Sequence, residues 1–271
     1  MCEVLTIPRS SYYNSFKKTV SNREQENREL TKEIQRIYLK SKARYGAPKI
    51  HQILVNNGFY LSLKRVQRLM KKARIRSVTK EKYRPYPSKE KVMQLDNLLK
   101  RDFSTQTINE KWVADITYIP TVRDGWCYLA SVLDLHSKKI VGYSFSRSMT
   151  SELVIEALQN AYTAQKPGKG LLLHTDLGSQ YTSSEFTQHV HKYEMKQSFS
   201  QKGCPYDNAC IESCHAILKK EEVYHTQYKD YSAAKVAMFQ FIEGWYNRNR
   251  IHSSLGYQTP QAIEDKMRKT P

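Results

Sequence analysis

From Asn109 onward the chain sets short apolar runs, rich in β-branched and aromatic residues, among longer amphipathic stretches, and that order most constrains its fold. Strand patterns fit 111–119, 127–134, 139–146, 171–175 and 196–199, while helical periodicity fits 151–164, 183–193, 208–222 and 232–248. Three early strands with no helix between them, followed by alternation, predict an α/β domain with a mixed five-stranded sheet and helices on its faces.

Three acidic residues fall at informative places on that frame. Asp115 lies inside the strand-like run Trp112 to Ile119. Asp176 follows Leu171-Leu172-Leu173 and precedes Gly178, where a second strand ends and the chain turns. Glu212 follows Pro205 and an N-cap expected at Asp207 or Asn208, so it projects from the first turns of a helix. Two strand-borne aspartates and one helix-borne glutamate would meet at one edge of the sheet. Crowded carboxylates repel one another and gain nothing unless a cation is present. Mg²⁺ is a hard ion held by carboxylates together with substrate phosphate, and a pair of such ions serves phosphoryl transfer. The chemistry implied is cutting or joining of a nucleic-acid backbone. Asp134, at the end of another strand-like run, is expected to be a turn residue and not a fourth ligand.

Charge places the nucleic-acid contact elsewhere in the chain. The 271 residues carry a formal charge of +18, of which residues 1–100 hold +16 and residues 101–271 only +2. A polyanionic partner is implied, with its phosphate contacts concentrated in the N-terminal part. There, Leu30, Ile34, Ile37 and Tyr38 recur at helical spacing; Pro48 opens a second helix carrying Ile50, Ile53 and Leu54, and Asn57-Gly58 stops it. Ser62 is the expected N-cap of a third helix, with Val66, Leu69 and Met70 inward and Lys64, Arg65, Arg68, Lys71 and Lys72 outward. Short helices joined by a Gly-containing turn, the last one cationic, read as a helix-turn-helix. Arg65 and Arg68 are the foremost candidates for base-edge or phosphate contact.

The domain reading is therefore an N-terminal arm (1–25), a helix-turn-helix domain (26–76), a basic linker (77–108) and a catalytic domain with a C-terminal helical extension (109–271). Tyr83 and Tyr86 of the linker either stack on DNA or pack against a neighbouring domain. No run of eighteen apolar residues or signal-peptide pattern is present, so a soluble, cytoplasmic protein without membrane association is expected. Five cysteines, with no C-x-x-C pair, read as free thiols and not as a disulfide or zinc framework, even with His215 beside Cys204, Cys210 and Cys214.

The segments Trp112 to Tyr118, His174 to Tyr181, Asp207 to Glu212, Leu218 to Glu221 and Tyr246 to Pro260, in that order, resemble the OrfB transposases of bacterial insertion sequences of the IS-three type. These are relatives of retroviral integrases with an RNase H-like core. In that family the acids follow an Asp, Asp, Glu order separated by 60 and then 35 residues, as Asp115, Asp176 and Glu212 are here. The resemblance implies a DNA strand-cleaving and strand-transferring enzyme using two Mg²⁺ ions, or Mn²⁺, at those three residues. Its implied partners are insertion-sequence ends and target DNA, a second protomer on DNA and the upstream-frame OrfA product; this chain has no sustained heptad repeat of its own. Gln180 and Tyr181 would then position DNA. Lys219, two helical turns beyond Glu212 on nearly the same face, would hold a phosphate. His174 reads as structural; Asn247, Arg250 and His252 either fix the last helix or touch DNA. Thr175, Gln201, Cys204 and Cys214 depart from the residues usual at their positions. The rival readings are a catalytically silent DNA-binding repressor and an RNase H-type nuclease that cuts without joining.

Overall fold

The structure, a computed structural model, describes residues 8–16, 21–78, 96–201 and 204–269 together with Cys2, Val4 and Thr6. Tyr83 and Tyr86 lie outside the described residues, as does most of the connector. Contacts divide the chain into two units at Val78.

The first unit is helical: α1 (Arg9–Phe16), α2 (Asn22–Lys40), α3 (Ala47–Asn56) and α4 (Leu63–Lys72). Ser21 caps α2 by accepting from the Glu24 amide, and Ser62 caps α4 by accepting from the Arg65 amide, each satisfying a backbone donor the helix leaves open. Leu30, Ile34 and Ile37 of α2, Ile50 and Leu54 of α3, and Val66, Leu69 and Met70 of α4 are buried. The apolar spacing read from the sequence thus becomes the core of a helix-turn-helix. His51 Nε2 lies 2.9 Å from the Leu61 carbonyl oxygen and ties α3 to the turn before α4.

In the second unit five strands, β1 (Lys111–Pro120), β2 (Trp126–Asp134), β3 (Ile140–Ser146), β4 (Leu172–Thr175) and β5 (Lys196–Phe199), form one sheet in the order β3-β2-β1-β4-β5. The first three pair antiparallel, while β1–β4 and β4–β5 are parallel, as expected when the later strands are joined through helices. On one face Trp112, Ala114, Ala130 and Val132 pack with α5 (Ser151–Gln165) and α6 (Ser184–Lys192). On the other, Val113, Ile119, Leu129 and Leu133 pack with α7 (Ala209–Glu221) and α8 (Tyr231–Phe239). The chain closes with α9 (Pro260–Lys269). Among the described residues no helix is long and apolar enough to cross a membrane.

Three features differ from the sequence pattern. The helix expected over 232–248 is α8 followed by a π-helical stretch, Gln240–Tyr246. Just beyond it the Asn247 side chain accepts from the Ile140 amide and donates to the Ile140 carbonyl, both at 3.0 Å, supplying β3 with the pairing an edge strand lacks. Asp207 does not cap α7: it accepts from the Gln201 amide, the Asn97 amide group and Arg101, while Asn208 stands at the N-cap without a side-chain capping bond. Residues 96–99, assigned by pattern to the connector, run along β5: the Leu98 and Leu99 amides donate to Ser198 Oγ, the Asp96 carbonyl accepts from the Phe199 amide, and Leu99 enters the core.

Asp134 ends its strand as expected, accepting from the Ser137 amide and hydroxyl and from the Asn109 amide. Gly142 of β3 lets α5 lie directly on the sheet. A Cβ there would come within 2.5 Å of the Ala157 carbonyl oxygen and the Ala161 Cβ, and closer still to the Ala161 amide nitrogen. Since backbone cannot move aside cheaply, Gly142→Ala should cost about 2 kcal/mol and lower Tm by roughly 6 °C in thermal denaturation; an unchanged Tm would show that α5 does not lie so close.

Candidate active site

The parallel pairing of β1 with β4 sets the site. Lys111 pairs with Leu172, Trp112 with Leu173 and Val113 with His174, an offset of 61 residues, and Asp176 follows Asp115 by the same 61. Two residues past the last pair, Asp115 in the middle of β1 and Asp176 just beyond the end of β4 come close enough for the charge of one to act on the other. Asp115 Oδ1 accepts from the Ile116 amide at 2.8 Å, and Oδ2 lies 3.3 Å from His215 Nδ1. Asp176 Oδ1 accepts from the Gly178 amide at 3.0 Å. Gly178 keeps the turn narrow, since a Cβ would stand 3.0 Å from Asp176 Oδ1 and 3.2 Å from Gln180 Oε1.

Electrostatics records how crowded the pair is. Burial raises the Asp176 pKa, the Asp115 charge raises it further, and the Gly178 hydrogen bond works the other way. Glu212 leaves the first turn of α7 and is exposed. Among the described residues no three His, Cys, Asp or Glu side chains stand close enough together to hold a metal ion, so the structure joins Asp115 with Asp176 and leaves Glu212 outside the pair. The backbone beneath Glu212 is nevertheless held against β1. Asn208 donates to the Ala114 carbonyl at 3.2 Å, and His215, one turn beyond Glu212, reaches Asp115. Lys219 is half-buried near the pair; burial lowers its pKa and Asp115 opposes that shift.

A divalent ion fits the residues present. The donors are hard carboxylate oxygens, and two buried oxygens next to them, Tyr181 Oη and Asn208 Oδ1, have no hydrogen-bond partner.

Several expected contacts lie elsewhere. Tyr181 is only 2% exposed and packs edge-on against Phe186 under the two aspartates, whose charges add to burial in raising its pKa; it is a core residue with no DNA-facing surface. Gln180 donates to the Met149 carbonyl at 3.2 Å. Arg250 is buried with Glu221 (Nη2 to Oε1, 2.9 Å) and lies 3.2 Å from the His252 ring nitrogens, which makes it an internal clamp. In α4 the Arg65 guanidinium is engaged by Glu26 and Asn27 at 2.9 to 3.1 Å, whereas Lys64, Arg68, Lys71 and Lys72 are exposed. Gln67, exposed on the same face as Lys64 and Lys71, escaped attention in the sequence because it carries no charge. His215 was weighed only as a zinc ligand; its spacing of three residues from Glu212 was the available signal.

His174 is fully buried between Ser198 Oγ (2.8 Å) and Ser200 Oγ (3.0 Å), and burial pulls its pKa from 6.5 down to about 4, with Asp207 opposing. An unfolded chain therefore takes up this proton first. The stability it contributes is complete above about pH 6.5 and is lost as pH falls towards 4, about 3 kcal/mol in all. Urea midpoints between pH 7.5 and 4.5 should fall more steeply for the native chain than for His174→Gln; equal slopes would remove His174 from the explanation.

Residues 24–83 match a family described as an HTH-like domain, and residues 106–205 and 193–260 match two described as integrase core domains. The chain is 36% identical, over 98% of its length and 98% of the relative's, to the insertion element IS600 uncharacterized 31 kDa protein of Shigella sonnei. It is 34% identical, over 98% of its length and 93% of the relative's, to the transposase InsF for insertion sequence IS3A of Escherichia coli (strain K12). Among solved structures, a chain of the simian T-cell lymphotropic virus intasome is 14% identical and superposes with a TM-score of 0.50 over 88% of this chain and 76% of that one, a likeness of fold.

Proposed function

The chain belongs to the IS3-type transposases of bacterial insertion sequences, and from that premise we propose that Asp115, Asp176 and Glu212 are its catalytic carboxylates, holding two Mg²⁺ ions or Mn²⁺ in their place. The observation that carries this reading is the like-charged pair at matching register on β1 and β4. Such ions acidify an attacking hydroxyl and neutralise charge on the phosphate. The protein's own groups do the rest. Asp115 is oriented by the Ile116 amide and His215, Asp176 is held in the Gly178 turn, and Lys219 offers a positive charge to the phosphate beside them. Both aspartates are partly buried, which limits water near the pair and leaves fixed groups to position the phosphate.

The reaction is two in-line displacements at one site. Water first attacks a phosphodiester at the element's end, forming one P–O bond, breaking another and freeing a 3′-hydroxyl. That hydroxyl then attacks a second phosphodiester, forming a P–O bond and breaking the one to the 3′-oxygen of the attacked strand, which leaves as a hydroxyl, and so joins the strands. DNA ends are recruited by the helix-turn-helix through Lys64, Gln67, Arg68, Lys71 and Lys72, with Arg65 bracing α2 against α4. Bringing two ends together takes at least two protomers, and the leucine zipper absent from this sequence is supplied by an OrfA product.

On labelled DNA ends, Asp176→Asn should abolish both cleavage and joining while DNA binding stays within about twofold, because the phosphate contacts of the first unit are untouched. Unchanged activity would favour a silent core, and nicking without joined product in the native chain would favour a simple nuclease. In gel-shift titrations Arg68→Ala should weaken DNA binding about tenfold with no loss of stability, whereas Arg65→Ala should mainly lower the stability of the helical unit, by about 1 kcal/mol. The reverse pattern would exchange the two roles.

A further inference from the structure

His215 is buried on α7, 6% exposed, yet both ring nitrogens point at polar groups of the sheet and neither at backbone. Nδ1 lies 3.3 Å from Asp115 Oδ2, and Nε2 lies 2.6 Å from Ser131 Oγ. Those two partners face each other in register, Asp115 on β1 and Ser131 on β2, and Ser131 is itself 1% exposed. The ring therefore spans a cross-strand pair from above. An ionised carboxylate only accepts hydrogen bonds, so a neutral ring at this place carries its proton on Nδ1, and the bare Nε2 accepts from the Ser131 hydroxyl. The Asp115 carboxylate thus selects the tautomer, and the Ser131 hydroxyl, able to donate or accept, steadies the ring in it.

A side chain that served packing alone would bury a ring without aiming two nitrogens, and an apolar residue would fill the space with no polar groups to satisfy. Asp115 Oδ1 is already held by the Ile116 amide. With the His215 ring 3.3 Å from Oδ2, rotation of the carboxylate about its last bond is restricted. We propose that the Ser131–His215 pair is a positioning device that fixes the Asp115 carboxylate in the orientation a divalent ion needs. The inference rests on Asp115 being a metal ligand. It adds a role to α7: the helix that presents Glu212 also orients the aspartate opposite.

The test uses the full chain, with Mn²⁺ as the probe in calorimetric titration and Mg²⁺ dependence of cleavage on a labelled DNA end as a second readout. His215→Leu, which keeps volume and loses both polar contacts, should raise the Mn²⁺ Kd and the half-saturating Mg²⁺ concentration about 10- to 100-fold, with KM for DNA unchanged. His215→Asn, whose amide can place an N–H near the position of Nδ1–H, should stay within about threefold of the native chain, and Ser131→Ala should fall between the two. A folded His215→Leu with native metal dependence overturns the proposal, as does failure of Asn to restore it. Should His215→Leu not fold, Ser131→Ala decides, and native metal dependence there overturns it. Asp115→Asn separates the two claims: if it binds Mn²⁺ and cleaves like the native chain, the assignment of Asp115 falls, and if it loses both while His215→Leu does not, only the positioning role falls.

Discussion

Everything at the site depends on the register of one parallel strand pair. β1 and β4 are aligned because Trp112 and Leu173 share the face covered by α5, while Val113 and His174 share the other. A slip of one residue would carry Leu173 out of its core and bring His174 into it, so apolar burial elsewhere locks the alignment. The two aspartates are then side by side as a consequence of packing they take no part in. Burial first, and then the Asp115 charge, raise the pKa of Asp176, a cost sustained by the much larger burial of the strands that carry the two residues.

The second constraint is the docking of α7. Its apolar stripe, Ile211, Cys214 and Leu218, sets the helix on β1, and two polar tethers refine the position, Asn208 at the Ala114 carbonyl and His215 at Asp115. Glu212 lies between the tethers on the exposed side. A long side chain on a fixed backbone can approach the pair by rotation about its own bonds, at a cost of rotamer entropy and not of refolding. Cys214 is buried in the same core as Tyr246.

Much of the fold was legible beforehand because its signals are local. Apolar alternation located all five strands to within a few residues, and Ser62 capped its helix as expected. Residues whose roles are set by distant partners were harder to read. Arg65 and Arg68 look alike on a helical wheel, and it is Glu26 and Asn27, 39 and 38 residues earlier, that engage Arg65. Tyr181 reads as a surface aromatic beside Gln180, yet its loop turns inward so that the ring packs on Phe186. Arg250 reads as a DNA contact until Glu221 is found against it.

By itself the sequence determined the elements, their order, the helix-turn-helix ahead of a mixed sheet, and the three acids with their spacing. These follow from periodicity, turn residues and motif order, which act over a few residues or are counted along the chain. The tertiary structure alone decided that Asp115 and Asp176 are neighbours while Glu212 stands outside the pair, that His215 belongs with them, and which cations remain at the surface. Those outcomes depend on strand register and helix docking, where side chains tens of residues apart compete for the same partner, and no local pattern encodes which one wins.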